Sequence, residues 1–485
     1  MPTQTDVTPA VAGGIAATPT VESHRLARRL TLRDLVLTQI LCVVGSAWVG
    51  VAANLGRAQA LVWIAAMVLF YLPMAVSVYY LNREMPLEGG LYVWARTAFG
   101  DTWGFMTAWN LWAYGLCVCA TILYGIPTEI AYLLGPAAAW IPENHMVSLG
   151  ILAVVLTLLT VASLRGLAIV RWIHNAGGAA MVAVFALLIV TPFWAMLHHV
   201  PLHYAPLAMQ LPKMNLYSLA LMGQMFGALC GLEYIAILAG EAKAPTRNIG
   251  LSVLISSPII CAMFILGTGA VFAFHEFYST TKIDLIAPIP QTLRFAFGNR
   301  GMGNVLASAA ILMVQMRLLG ATSYAFTGLT RLPMTAGWDH LIPEWFARLS
   351  KRNQVPVNST LLSAGIIAAL LVLGSAGVKA AEAFQVLLQA SSELYALAYL
   401  AMFAVPIAGA KMLRKRLPAW VAWTSGVGFA FTAFAFLLTA YPFVEVVDAR
   451  AYAAKILGTT ILANVVGYAF YRVRKGRTTA SDLRG

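Results

Sequence analysis

Charge is scarce in this chain: 11% of its 485 residues are Asp, Glu, Lys or Arg, where a soluble globular domain carries about 25%. That excludes an ordinary cytosolic enzyme, and it excludes a disordered chain, which needs polarity to stay unfolded. Cysteine is rare as well. Cys42, Cys117, Cys119, Cys230 and Cys261 all lie inside apolar runs, where a thiol behaves as a small hydrophobe, so neither a disulfide scaffold nor a thiolate metal centre is expected. Residues 1–30 are Thr-, Ala- and Pro-rich and lack the apolar core of a cleavable signal peptide; they read as a disordered tail. No phosphate-cradling glycine loop, paired His-Glu motif, serine nucleophile elbow or redox cysteine pair occurs. That argues against an enzyme and against ATP as an energy source, and no catalytic residue or cofactor is expected.

Apolar length, in contrast, is abundant. Hydrophobic residues make up 60% of the chain, and mean hydropathy is +0.77. About 20 apolar residues cross a bilayer. Twelve stretches qualify as helices: 35–55, 59–81, 103–133, 146–164, 169–197, 216–240, 250–274, 302–330, 358–378, 383–410, 418–442 and 451–472. The fold class expected is therefore an all-α membrane protein with about 12 transmembrane helices. The third stretch is too long for a perpendicular crossing and must tilt or overshoot. The fourth and fifth are separated by little more than Arg165 and Gly166. Residues 334–350 mix Trp338, Leu341, Ile342, Trp345 and Phe346 with Asp339, Glu344 and Arg348, which suits a short amphipathic helix at the interface.

The net charge of +13 could suggest a nucleic-acid partner, but the placement of the charges argues otherwise. With the N-terminus inside and the helices alternating, most Lys and Arg fall on inner segments, among them Arg28, Arg29, Arg165, Lys415, Arg474 and Lys475. That bias puts both termini in the cytoplasm and directs the positive charge at anionic inner-leaflet lipid. No nucleic-acid partner is expected.

Small-residue clusters inside a span are informative, because backbone can leave the helix in a membrane only where it lines a cavity or is buried in protein. The first span contains Val44-Gly45-Ser46-Ala47-Trp48-Val49-Gly50, and the sixth contains Phe226-Gly227-Ala228-Leu229-Cys230-Gly231-Leu232-Glu233. These spans open two successive blocks of five helices. Interruptions at matching positions of two halves point to a transport site; glycines that only let helices pack closely are the competing explanation.

Around these spans a family resemblance emerges. Pro86-Leu87-Glu88-Gly89-Gly90-Leu91-Tyr92, followed by Ala98-Phe99-Gly100, resembles the inner loop after the second helix of the amino acid–polyamine–organocation superfamily. Gly45-Ser46-Ala47 is similar to that family's Gly-Ser-Gly break, with Ala47 replacing the last glycine. Gly231-Leu232-Glu233, with Glu241-Ala242-Lys243-Ala244-Pro245-Thr246-Arg247-Asn248, looks like its sixth-helix signature, and Arg331 with Asp339-His340-Leu341-Ile342-Pro343 like the end of its eighth helix and the loop beyond. The resemblance implies a five-plus-five inverted-repeat (LeuT-like) core with broken helices 1 and 6, and two extra helices. It divides the chain into a tail at 1–30, a core at 31–412 (helices 1–5 at about 35–197, helices 6–10 at about 216–410), helices 11–12 at 413–475, and a tail at 476–485. It implies secondary transport of a small-molecule substrate, an amino acid or related amine, across the cytoplasmic membrane. Proton coupling or exchange would drive it. A polyamine or organocation carrier of the same fold, or a transport-dead amino acid sensor, are the alternatives. The oligomeric state is not indicated.

Within that frame, free N–H groups of Gly45, Ser46 and Ala47, next to Val44, would hold a carboxylate. Carbonyls near Phe226, Gly227 and Ala228 would accept from an ammonium. Cys119, Cys230 and Gly231 map close to this pocket. Family members often place a large aromatic where Gly227 stands, so either Phe226 gates or the pocket is larger. The position of a coupling lysine found in some members falls at about Met181, which puts that mode of coupling in doubt. Ionisable groups in a span are costly and usually functional, so Glu233, Arg317 and Glu393 are candidates for coupling or gating. Arg317 would pair with Glu233 or Glu393, or face an acidic substrate. Thr322-Ser323 could offer oxygens to a sodium ion, with packing the simpler role. His198, His199 and His203 have spacing that could suit a metal, but without a nearby cysteine or carboxylate no metal site is expected.

Overall fold

The computed structural model describes residues 31–482 except 86–89, 233–244, 279–280, 336–343, 351–352, 354, 376–379, 409–416, 444–445 and 447. The described residues form helices and connections and no strand. The first span is broken: α1 (Leu32–Val43) and α2 (Ser46–Ala53) are separated by Val44 and Gly45. Next come α3 (Gly56–Glu84, with a π-helical stretch at Met67–Tyr71), the short α4 (Leu91–Phe99), α5 (Asp101–Leu134), α6 (His145–Arg165) and α7 (Leu167–Leu197). The sixth span begins as α8 (Leu216–Leu229) and leaves the helix at Cys230. It is followed by α9 (Pro245–Phe277), the short α10 (Pro288–Phe297), α11 (Gly301–Thr335), α12 (Val357–Ser375) and α13 (Ala380–Ala408). The last two are α14 (Ala419–Leu438) and α15 (Ala449–Asp482).

Ten of these helices are long and apolar enough to cross a membrane, and α8 is a shorter apolar helix. With the two broken spans counted, the twelve expected positions all carry helix. The order repeats: a broken span, a long helix, a short helix, then three helices of 34, 21 and 31 residues in the first block and 35, 19 and 29 in the second. The repeat extends to packing. In the first block the long α5 runs against α13, and in the second the long α11 runs against α7. The short α4 and α10 went unnoticed in the sequence, because hydropathy selects membrane-length runs and these are only 9 and 10 residues.

The last helix continues to Asp482. Its final turns are polar, and a helix needs apolar residues only where it meets lipid or core. Of the amphipathic segment expected at 334–350, residues 334–335 end α11 and Glu344–Ala347 form a single helical turn; residues 336–343 lie outside the described residues. The third run is one continuous helix of 34 residues, α5, about 51 Å at 1.5 Å per residue. Gly166 alone separates α6 from α7. Cys117, Cys119, Cys230 and Cys261 are free thiols.

Lipid-facing helices lack the hydrophobic drive that packs soluble cores, so they associate through small residues. The clearest case is where α7 crosses α11. A Cβ added at Gly177 would lie 2.6 Å from the Cα of Gly320 and 3.2 Å from the Met316 carbonyl. Gly177→Val should therefore cost about 1–3 kcal/mol through overpacking and lower the melting temperature in detergent. Gly365→Ala on α12, where nothing lies within 4 Å, should leave it unchanged or slightly raised.

Candidate transport site

The two breaks are built from backbone. Gly45 is extended (φ −116°, ψ 141°) and no side chain caps α2, so the first N–H groups of α2 have no helical acceptor. At the other break Cys230 is extended and Gly231 takes φ +118°, a conformation that side chains resist. The freed Gly231 N–H donates to the Tyr399 hydroxyl of α13 at 3.1 Å. The Cys230 thiol donates to the Phe226 carbonyl at 3.1 Å. The last turn of α8 presents the carbonyls of Phe226, Gly227 and Ala228.

Trp48 joins the breaks. Its half-buried indole lies over its own break, where a Cβ on Gly45 would come within 2.7 Å of Trp48 Cδ1. The far edge of the ring reaches the sixth span, where a Cβ on Gly227 would lie 2.7 Å from Trp48 Cη2 and 3.2 Å from Ser392 Oγ. The space beside Gly227 is thus filled by an aromatic ring from the first span. The aromatic expected at or beside position 227 is supplied by the first span. Phe226 is 2% exposed and sits edge-on to Phe70 (4.9 Å) and Tyr399 (5.5 Å), inside an aromatic cluster. Val44 and Ala228 are buried in the same core, while Ala47 and Trp48 border a second core that contains Cys119.

Arg317, on α11, reaches the first break directly. Its Nη2 donates to Ser46 Oγ at 2.7 Å. The same nitrogen lies 3.8 Å from Glu129 Oε1 of α5. Arg317 and Glu129 are 4% and 1% exposed, so this is an ion pair in apolar surroundings, where each charge depends on the other. The pair is incompletely matched: Arg317 Nε and Glu129 Oε2 have no hydrogen-bond partner. Sequence reasoning did not single out Glu129. Its signal was a carboxylate within the third apolar run, the same signal that marked Glu393.

The other candidates separate from this cluster. The Glu393 Oε2 accepts from Thr460 at 2.6 Å, and Asn464, one turn on, bonds Thr460 and Asn110. Glu393 therefore ties α13 to α15 and is not the described partner of Arg317. Glu233 lies outside the described residues. Met181 is buried. Thr322 donates to the Leu318 carbonyl of its own helix at 2.8 Å, as a packing threonine does. His198 stacks on Trp194 at 4.1 Å between ring centroids, and no group of three His, Cys, Asp or Glu able to hold a metal occurs among the described residues.

The close approach of Trp48 to Gly227 makes a testable pair. Gly227→Ala should destabilise the protein by about 1–3 kcal/mol. The loss should shrink in the double variant with Trp48→Phe, with a coupling of about 1 kcal/mol measured by thermal unfolding. Strictly additive losses would mean that ring and glycine do not meet.

The chain that builds these two breaks has relatives. The amino acid permease family model matches residues 31–466. An uncharacterized transporter of Legionella pneumophila is 24% identical over 390 residues, covering 78% of this chain and 80% of its own. A methylthioribose transporter of Bacillus subtilis is 24% identical, covering 72% of this chain and 75% of its own. The vacuolar cationic amino acid transporter 4 of Arabidopsis thaliana is 25% identical, covering 72% of this chain and 58% of its own. With its family match running from the first helix into the last, this chain belongs to the amino acid permease family, a family of multi-pass membrane transporters.

Proposed function

We propose that this permease is a secondary active transporter that moves amino acids, or related amines, across the cytoplasmic membrane by alternating access. The observation that carries the reading is the meeting of the two breaks: the free N-terminus of α2 and the free C-terminus of α8 are bridged by Trp48. A helix N-terminus attracts a carboxylate, and the carbonyls at a helix C-terminus attract an ammonium. Gly45, Ser46 and Ala47 then take one end of an amino acid, and Phe226, Gly227 and Ala228 the other. Cys119, Cys230 and Gly231 sit around them. Trp48 is the ring that moves to admit the substrate, and the two five-helix blocks rock about it to open inward.

Both termini are cytoplasmic in this reading, since the inner segments carry the excess of Lys and Arg. The unit that rocks is 31–412; helices 11–12 brace it through the Glu393–Thr460 bond. The partners are the substrate and membrane lipid, and no chemical step is assigned. The energy comes from a proton gradient or from exchange, with Glu233 as a gating or coupling carboxyl. A polyamine is the weaker substrate, because it has no carboxylate to offer the α2 N-terminus and would meet Arg317 with like charge.

Substrate counterflow in proteoliposomes tests the reading. Vesicles loaded with one amino acid or polyamine, without any ion gradient, should take up the same labelled compound for a narrow set of amino acids. Binding without counterflow across the panel would favour a sensor. Glu233→Gln should slow counterflow more than it weakens binding; equal losses would remove Glu233 from the coupling role.

A further inference from the structure

We infer that Glu129 carries the coupled proton of this permease, and that the substrate's carboxylate displaces it from Arg317. The inference rests on the carrier reading above and adds the residue through which a gradient acts, which leaves Glu233 the gating half of the role given to it there. The starting point is geometric. Arg317 Nη2 bonds Ser46 Oγ, at the first residue of α2, at 2.7 Å. From there it reaches Glu129 Oε1 only at 3.8 Å, beyond hydrogen-bond length. The guanidinium is thus hydrogen-bonded to the break and held to the carboxylate by charge alone. Arg317 Nε and Glu129 Oε2 are both buried without a partner, and such groups are costly in a low dielectric.

A carboxylate arriving at the N-terminus of α2 brings a second anion to the same guanidinium. With the substrate's ammonium held by the α8 carbonyls at the other break, two carboxylates compete for one arginine in apolar surroundings, and one of them takes a proton. The incoming one has the N–H groups of α2 as donors. Glu129 Oε2 has no donor, so Glu129 takes the proton. Substrate and proton are then held together by one arginine and move together. When the site opens inward the carboxylate leaves, Arg317 recovers Glu129, and the proton is released on that side. One proton enters and one leaves per cycle.

The groups facing Glu129 support this choice. Among the described residues, the charges acting on it are Arg317 from α11 and Asp284 from the segment before α10. Asp284 is already engaged, because its Oδ1 accepts from the Ile286 and Ala287 N–H groups at 2.9 and 3.1 Å. Tyr132 lies one turn further along α5. Arg294 of α10 binds the Tyr132 and Leu133 carbonyls rather than a carboxylate. His145 of α6 lines a cleft with Pro127 and Thr128, beside Glu129 in sequence. Glu393, on α13, accepts from Thr460 on Oε2 and leaves Oε1 without a partner, and no ion pair joins it to a break among the described residues. Glu129 alone among these carboxylates is joined to a break residue through a cation.

The test uses the full-length protein in proteoliposomes and in weakly buffered detergent solution, with amino acids each matched to its decarboxylated amine. Wild-type protein should show counterflow for the amino acid and at least about tenfold less for the amine, which gives Arg317 nothing to bind. An inward-directed proton gradient should drive its accumulation. Substrate addition in detergent should take up close to one proton per site, read with an indicator dye. E129Q should keep counterflow but lose gradient-driven accumulation and the proton uptake, and its transport should no longer vary with pH. Gradient-driven accumulation by E129Q at the wild-type level would overturn the inference, as would a folded E129Q without counterflow. The double variant R317Q/E129Q separates a structural pair from a coupling pair: if the two charges only neutralise each other, gradient-driven accumulation returns; if Glu129 carries the proton, it does not. Silence of the wild-type protein in counterflow would remove the carrier reading and this one with it, whereas failure confined to the E129Q arms removes this one alone.

Discussion

A backbone amide left without a partner in hydrocarbon costs several kcal/mol, and this permease leaves the helical ladder at two places inside its membrane-spanning region. Each departure is held from a distant helix, the sixth-span break through its backbone and the first through a side chain. Tyr399 of α13 accepts from the Gly231 N–H after the sixth-span break, and Arg317 of α11 holds Ser46 at the first. The breaks are therefore fixed by the helices around them. Both supports come from the second five-helix block, one of them to the first, so the halves are linked at the places where the backbone is most exposed.

Size complementarity then positions the site. Trp48 needs the space that a side chain at Gly227 would occupy, and a Cβ at Gly45 would also strike it. Two glycines and one indole form a single unit spread over both breaks. Phe226, next to Gly227, is committed to the cluster of Phe70, Tyr395 and Tyr399, so it steadies the end of α8 while Trp48 faces the break. Adjacent residues on a helix point about 100° apart, which is why Phe226 and Gly227 have different surroundings.

Two systems of buried polar groups meet on α5. Glu393, Thr460, Asn464 and Asn110 link α13, α15 and α5 into a connected network. Arg317, Ser46 and Glu129 link α11, α2 and α5 with unmatched atoms remaining. Each keeps a buried carboxylate oxygen without a partner, Glu393 Oε1 in the first and Glu129 Oε2 in the second, and such an atom responds strongly in low dielectric to whatever completes it; only the second stands at a break. The long α5 takes part in both, so it connects the accessory helices to the first break.

Hydropathy alone located all twelve helical positions, because a bilayer demands about 20 apolar residues per crossing and the sequence must display them. The glycine clusters at 44–50 and 226–233 disclosed both breaks, since backbone can leave the helix in a membrane only with local sequence to permit it. The short α4 and α10 escaped, because neither is long enough to register as a crossing. The partners inside the site escaped as well. Arg317 was visible as a charge in a span, but its partner Glu129 is 188 residues away in sequence and had no shared motif to announce it. The aromatic beside Gly227 could not be read at all, because it comes from Trp48 across the helix interface. The sequence by itself determined which segments enter the membrane and where their ladders fail, as these depend on local composition. Which side chains meet at those failures was decided by the tertiary structure, because contacts between helices depend on their crossing and rotation, which no single segment encodes.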